Sequence, residues 1–184
     1  MKKAIKILLL TDGLVILAGA MLGPLYAVFV ERSVGGDLLT AGSSWGVFSI
    51  VTGLVILLIG KTEDHLKETE LAIAAGYLII SFGFLGYLFV DTVWKLFIIQ
   101  IILGIGEAIS LPAYGAVYSS HLTAGKFAFE WGSWEAMRSI VVGLGALAGG
   151  IIVSIFNFSS LFIWMFILTF VSGLIIIFLP RKVL

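Results

Sequence analysis

The sequence predicts an all-α membrane protein, with six transmembrane helices arranged as an inverted 3+3 repeat in a single domain spanning residues 1–184. Three observations carry this. The chain is 60% hydrophobic and 12% charged, and a water-soluble domain of this length has too little interior to hide that much apolar surface. Most of the sequence falls into apolar runs of roughly 20 residues or more, the length that crosses about 30 Å of hydrocarbon. Strings from the first half of the chain also recur in the second at a spacing of about 90 residues, or three helices.

The runs are Ile7 to Val30, Thr40 to Ile59, Leu71 to Val90, Trp94 to Ser119, Phe129 to Phe156 and Leu161 to Leu179. Lys2, Lys3 and Lys6 precede the first, as they would in a secretory signal, but it is too long for one and no small-residue cleavage site closes it, so it reads as a retained helix. Short polar connections separate the runs. Placing the N-terminus inside puts Lys2, Lys3, Lys6, Lys61, Lys67, Lys126, Arg181 and Lys182 on that face and leaves Arg32 and Lys95 on the other. The bias predicts cytoplasmic termini in a prokaryotic cytoplasmic membrane. Formal net charge is zero, which argues against nucleic acid as a partner. No P-loop points to ATP, no clustered ligands surround His65 or His121, and neither a metal nor a cofactor is expected.

The repeat pairs SIVTGLVILLIG (Ser49 to Gly60) with SIVVGLGALAGG (Ser139 to Gly150), and GPLYAV (Gly23 to Val28) with LPAYGAV (Leu111 to Val117). Three helices per unit make the second unit enter the bilayer from the opposite side, so the units, about 1–92 and 93–184, are inverted. Pro24 and Pro112 then occupy matching positions. Matched helix breaks are a pointer to a transport site, although each proline taken singly is more often a kink in a packed helix.

Four ionisable residues fall well inside the runs: Asp12, Glu107, Glu135 and Arg138. Each costs roughly 2.5–3.5 kcal/mol to insert, and such residues mark pathways or relays. The fourth and fifth helices are consecutive, so Glu107 and Arg138 are expected to meet, with Glu135 as a competing partner. The pair reads either as a switch released by protonation or as a static clamp. Counting from the prolines sets Asp12 opposite Gln100; Asp12 alternatively balances the nearby lysines or its own helix dipole. Tyr26 and Tyr114, each two residues beyond a proline, are the aromatic candidates for a cavity, Tyr118, Trp131 and Trp134 weaker ones, while Trp45 and Trp94 read as interfacial belt residues. Gly19 and Gly23, Gly42 and Gly46, and Gly145 and Gly149 lie four apart, a spacing that lets helices approach closely.

Order and spacing together resemble half of a major facilitator superfamily transporter, over essentially the whole chain. That family's loop after the second helix runs from a glycine to an aspartate and basic residues; GKTEDHLKETE keeps Gly60 and Asp64, with His65, Lys67 and Glu68 departing from the pattern. The fourth helix keeps Gly104, Gly106 and Pro112 but has Gln100 where an arginine is common. The fifth keeps Gly145, Gly149 and Gly150 without the proline of antiporter branches. These departures leave the coupling mode open. The resemblance implies one half of a major-facilitator fold. It further implies a homodimer that moves a small-molecule substrate by alternating access, with a proton as a coupling candidate suggested by the carboxylates at depth. Gly23, Pro24, Pro112, Gly60, Asp64, Gly145, Gly149 and Gly150 become the candidate breaks and gates. A non-transporting assembly or partner subunit, or half of a heterodimeric transporter, are the competing readings.

Overall fold

A computed structural model describes residues 2–63 and 68–179. Its six spans start and end within a few residues of the six apolar runs. The first comprises α1 (Lys3–Leu22), a 3-10 turn (Gly23–Leu25), α2 (Tyr26–Phe29) and a π turn (Val30–Val34). The others are α3 (Leu38–Glu63), α4 (Thr69–Gly86) continued by a 3-10 turn (Tyr87–Phe89), α5 (Val93–Ser120), α6 (Phe127–Ile155) and α7 (Phe158–Phe178). Among the described residues there is no strand. Helices are the expected solution in hydrocarbon, because each satisfies its own backbone groups.

Chain reversals use side-chain and glycine chemistry. The first span ends at Gly35, left-handed at φ 73°, and Asp37 Oδ1 then accepts the Thr40 amide at 2.7 Å to start α3. Asn157 Oδ1 does the same for the Ser160 amide at 2.9 Å ahead of α7. Both satisfy amides that a helix N-terminus leaves open. Between α5 and α6 the carboxylate of buried Glu130 gathers the Thr123 amide at 2.7 Å and its hydroxyl at 3.0 Å, pinning the loop in which Gly125 adopts φ 80°.

The principal packed pairs are α4 with α5, α4 with α7, α3 with α5, α1 with α6 and α1 with α7. Exchanging the first, second and third spans for the fourth, fifth and sixth maps this set onto itself. The α1–α6 crossing is made by glycine: a methyl group at Gly149 would stand 1.9 Å from the Met21 carbonyl oxygen, and one at Gly145 2.7 Å from Ala20 Cβ. Gly42, Gly46, Gly19 and Gly23 face open space instead, so of the three glycine pairs only Gly145 and Gly149 serve a helix crossing within the chain. Gly150 is open as well.

One expectation changes. Pro24 does interrupt its span, lying in the 3-10 turn after α1, but Pro112 lies inside an uninterrupted α5. One proline removes one hydrogen bond, and the intact ladder on either side carries the helix across. Gly60 falls in the last turns of α3, whereas Asp64, His65, Lys67, Arg181 and Lys182 lie outside the described residues.

Candidate functional site

A cavity of about 430 Å³ opens between the first span and α5. From the first span Asp12, Val15, Gly19, Gly23 and Tyr26 line it; from α5 come Gln100, Leu103, Glu107, Leu111 and Tyr114. Positions 12 and 100, 15 and 103, 19 and 107, 23 and 111, and 26 and 114 keep one constant spacing, so the two walls are formed by corresponding faces of the two proposed units. Tyr77, Ile80, Phe84 and Tyr87 close the back, with Met165 of α7, while Trp45 and Phe48 of α3 and Trp134, Arg138 and Val142 of α6 form the rims.

Asp12 is held by two donors: the Tyr77 hydroxyl at 3.0 Å on Oδ1 and the Trp134 indole N–H at 2.7 Å on Oδ2. Three spans meet at this carboxylate. Across the cavity Gln100 Nε2 donates to the Tyr26 hydroxyl. Tyr26 in turn lies 2.6 Å from Ser44 Oγ, which donates to the Ala41 carbonyl at 3.0 Å. A tyrosine that accepts from an amide has its own proton left to give, so this chain runs in one direction, from Gln100 to the α3 backbone. The two networks answer each other: Asp12 ties α1 to α6, and Gln100 reaches α3 through Tyr26. Buried polar groups at membrane depth are thus paired, as hydrocarbon demands.

Among the described residues two groups that line the cavity break that rule, as does Thr169 Oγ1 on α7 outside it. The Tyr114 hydroxyl is buried without a hydrogen-bond partner among the described residues, although its ring stacks on Tyr118 with centroids 5.7 Å apart. Glu107 lines the cavity, and among the described residues its carboxylate has no hydrogen bond or ion pair.

The expected meeting of Glu107 with Arg138 does not occur. Arg138 Nη1 instead sits 3.4 Å from Glu135 Oε1, and its guanidinium carbon lies 5.9 Å from the centroid of the Trp134 ring. The expectation rested on consecutive helices being neighbours, but α5 packs on α3 and α4 while α6 packs on α1, and the cavity lies between them. Glu135, one turn away on the same helix, needs no tertiary approach. Its side chain and that of Arg138 are 56% and 52% exposed.

Of the aromatics, Tyr26, Tyr114 and Trp134 line the cavity. Tyr118 instead donates to the Glu130 carbonyl and packs on Trp131 at 4.9 Å. Trp45 is a correction. Read as a belt residue, it lies on the cavity rim with its ring edge-on to Tyr26 at 5.9 Å. Tyr77 and Ser44 escaped the sequence reading altogether; a lone tyrosine or serine in an apolar run gives no sign of the face it occupies. Trp94 is 73% exposed near the start of α5, a position compatible with a belt.

Among the described residues six helices are long and apolar enough to cross a membrane, and with charged groups on the cavity between them they define a polytopic membrane protein. The chain matches the Major Facilitator Superfamily over residues 8–183 and belongs to that superfamily. It is therefore an integral membrane protein of a transporter family. None of the curated proteins matches it.

Proposed function

We propose that the chain is a secondary transporter or facilitator of a small organic solute, working as a homodimer by alternating access, with a proton as the candidate coupling ion. Its two three-helix units are inverted repeats, and both termini face the cytoplasm of a prokaryotic cell. The observation that carries the dimer is the exposed Glu135–Arg138 pair inside a membrane span, one to two turns from its middle. Facing lipid, each charge would cost roughly 2.5–3.5 kcal/mol; facing a second copy across a water-filled path, neither does.

The covering of the helices supports the same reading. α3 and α6 are the least buried spans, and they flank the cavity. Gly42, Gly46, Ser49 and Gly53 run down one face of α3; Gly132, Ala136, Ser139 and Gly143 run down α6 at a constant spacing of about 90 residues. Added methyl groups at Gly42, Gly46, Gly53, Gly132 and Gly143 would meet nothing within 4 Å. Small residues there let a neighbouring backbone approach and slide. A twofold axis along the membrane normal sets α3 of one copy beside α6 of the other and joins the two half-cavities into one.

The chain contains no cysteine, so single cysteines report without background. A cysteine at Val15, on the cavity wall, in proteoliposomes is expected to react with a membrane-impermeant thiol reagent applied from either face. Labelling from one face alone, in every condition, would point to a non-transporting subunit and overturn the proposal.

A further inference from the structure

We infer that the cavity takes a lipophilic organic cation. This rests on the transporter reading and adds the chemical class of its substrate.

Charge is the first argument. The ionisable carboxylates and cations lining the cavity are Asp12, Glu107 and Arg138. Arg138 is already engaged by Glu135 and lies near the Trp134 ring. The donors to Asp12 are neutral, a phenol and an indole, so they orient its charge without cancelling it. Glu107 has no direct partner among the described residues. Two acids thus face a space lined by one base, and that base also pairs with a third acid outside the lining. A cation entering that space gains a counter-charge at a depth where an uncompensated carboxylate is costly; an anion meets like charge.

The rest of the lining fits the body of such a ligand. Trp45 and Trp134 at the rims and Tyr26 and Tyr114 on the walls present ring faces, which attract cations, above all ones desolvated inside a protein. The unpartnered Tyr114 hydroxyl offers a neutral hydrogen-bond group to the ligand's polar edge. A volume of about 430 Å³ lies within the range of sites for drug-sized molecules. Gly19, at the position corresponding to Glu107, has open space where a side chain would stand, which keeps the wall facing the ligand bare.

Tetraphenylphosphonium and tetraphenylborate share one shape and differ in sign, so they isolate the charge argument. Binding of each to the detergent-solubilised chain is measured by equilibrium dialysis. The phosphonium is expected to bind saturably and at least about tenfold more tightly than the borate, tenfold being about 1.4 kcal/mol. Glu107→Gln should weaken phosphonium binding by a similar factor. Gly19→Leu should leave the unfolding temperature unchanged and weaken both ions, because its side chain enters the cavity. Equal or tighter borate binding, binding of neither ion, or an undiminished phosphonium affinity in Glu107→Gln overturns the assignment. Should Glu107→Gln fail to fold, the comparison of the two ions on the unaltered chain still decides. The thiol labelling above needs no ligand: labelling from both faces together with a failed charge preference refutes the substrate class alone, and failure of both refutes the transporter reading.

Discussion

Asp12, Gln100, Glu107, Glu135 and Arg138 stand out in the sequence because polar side chains are rare and costly in an apolar run, and four of the five line the cavity. Of their partners only Glu135, named as a competitor for Arg138, was legible. Tyr77 and Ser44 become hydrogen-bond partners only through the packing of α4 and α3, and Arg138 finds Glu135 because the tertiary arrangement holds α5 away. Outside the membrane the chemistry is more local. Hydrogen bonds from the Thr40 hydroxyl and amide hold the Asp37 carboxyl below its ordinary value. A carboxyl with a lowered folded-state pKa contributes stability that is present above its unfolded value, about 3.9, and is lost as pH falls through the folded value. The unfolding temperature of Asp37→Asn should therefore fall less than that of the parent chain as the pH drops from about 5 to 2. Parallel acid profiles for the two proteins would show that the cap carries no linked stability.

At the scale of the element, the two prolines show what local sequence does and does not decide. Pro24 follows Gly23, a weak helix former, and the helix gives way to a 3-10 turn; α5 runs through Pro112. The glycines divide in the same way. Spacing alone treats Gly149 and Gly143 alike, yet a methyl group at Gly149 would run into the Met21 backbone and one at Gly143 would meet nothing within 4 Å. Gly149→Leu should destabilise the fold by about 1–3 kcal/mol or more through overpacking. Gly143→Leu should leave monomer folding intact and weaken self-association instead. Unfolding temperature and oligomer mass of the two variants separate these effects, and equal unfolding temperatures would contradict the assignment of Gly149 to the α1–α6 crossing.

At the scale of the whole molecule, the packed pairs keep their pattern when the two sets of three spans are exchanged, and corresponding positions on the first span and α5 line one cavity. The helices that flank this cavity carry the exposed small residues and the exposed ion pair. Native mass measurement in nanodiscs is expected to give two copies per particle. A stable single copy there would leave the Glu135–Arg138 pair facing lipid and would require a different partner for α3 and α6.

The number of spans, their boundaries within a few residues and the position of the buried charges were determined by the sequence itself, because a bilayer imposes length and apolarity on each segment separately. The tertiary structure alone decided which helices are neighbours. α5 and α6 are consecutive yet stand on opposite sides of the cavity, and this redirected Arg138 from Glu107 to Glu135, left Glu107 and the Tyr114 hydroxyl without partners among the described residues, and placed Trp45, read as a belt residue, on the rim of the site. In lipid no gain in apolar burial selects one neighbour over another. The choice falls to close backbone contacts such as Gly149 on Met21 and to bonds such as Trp134 to Asp12, which exist only once the helices have met.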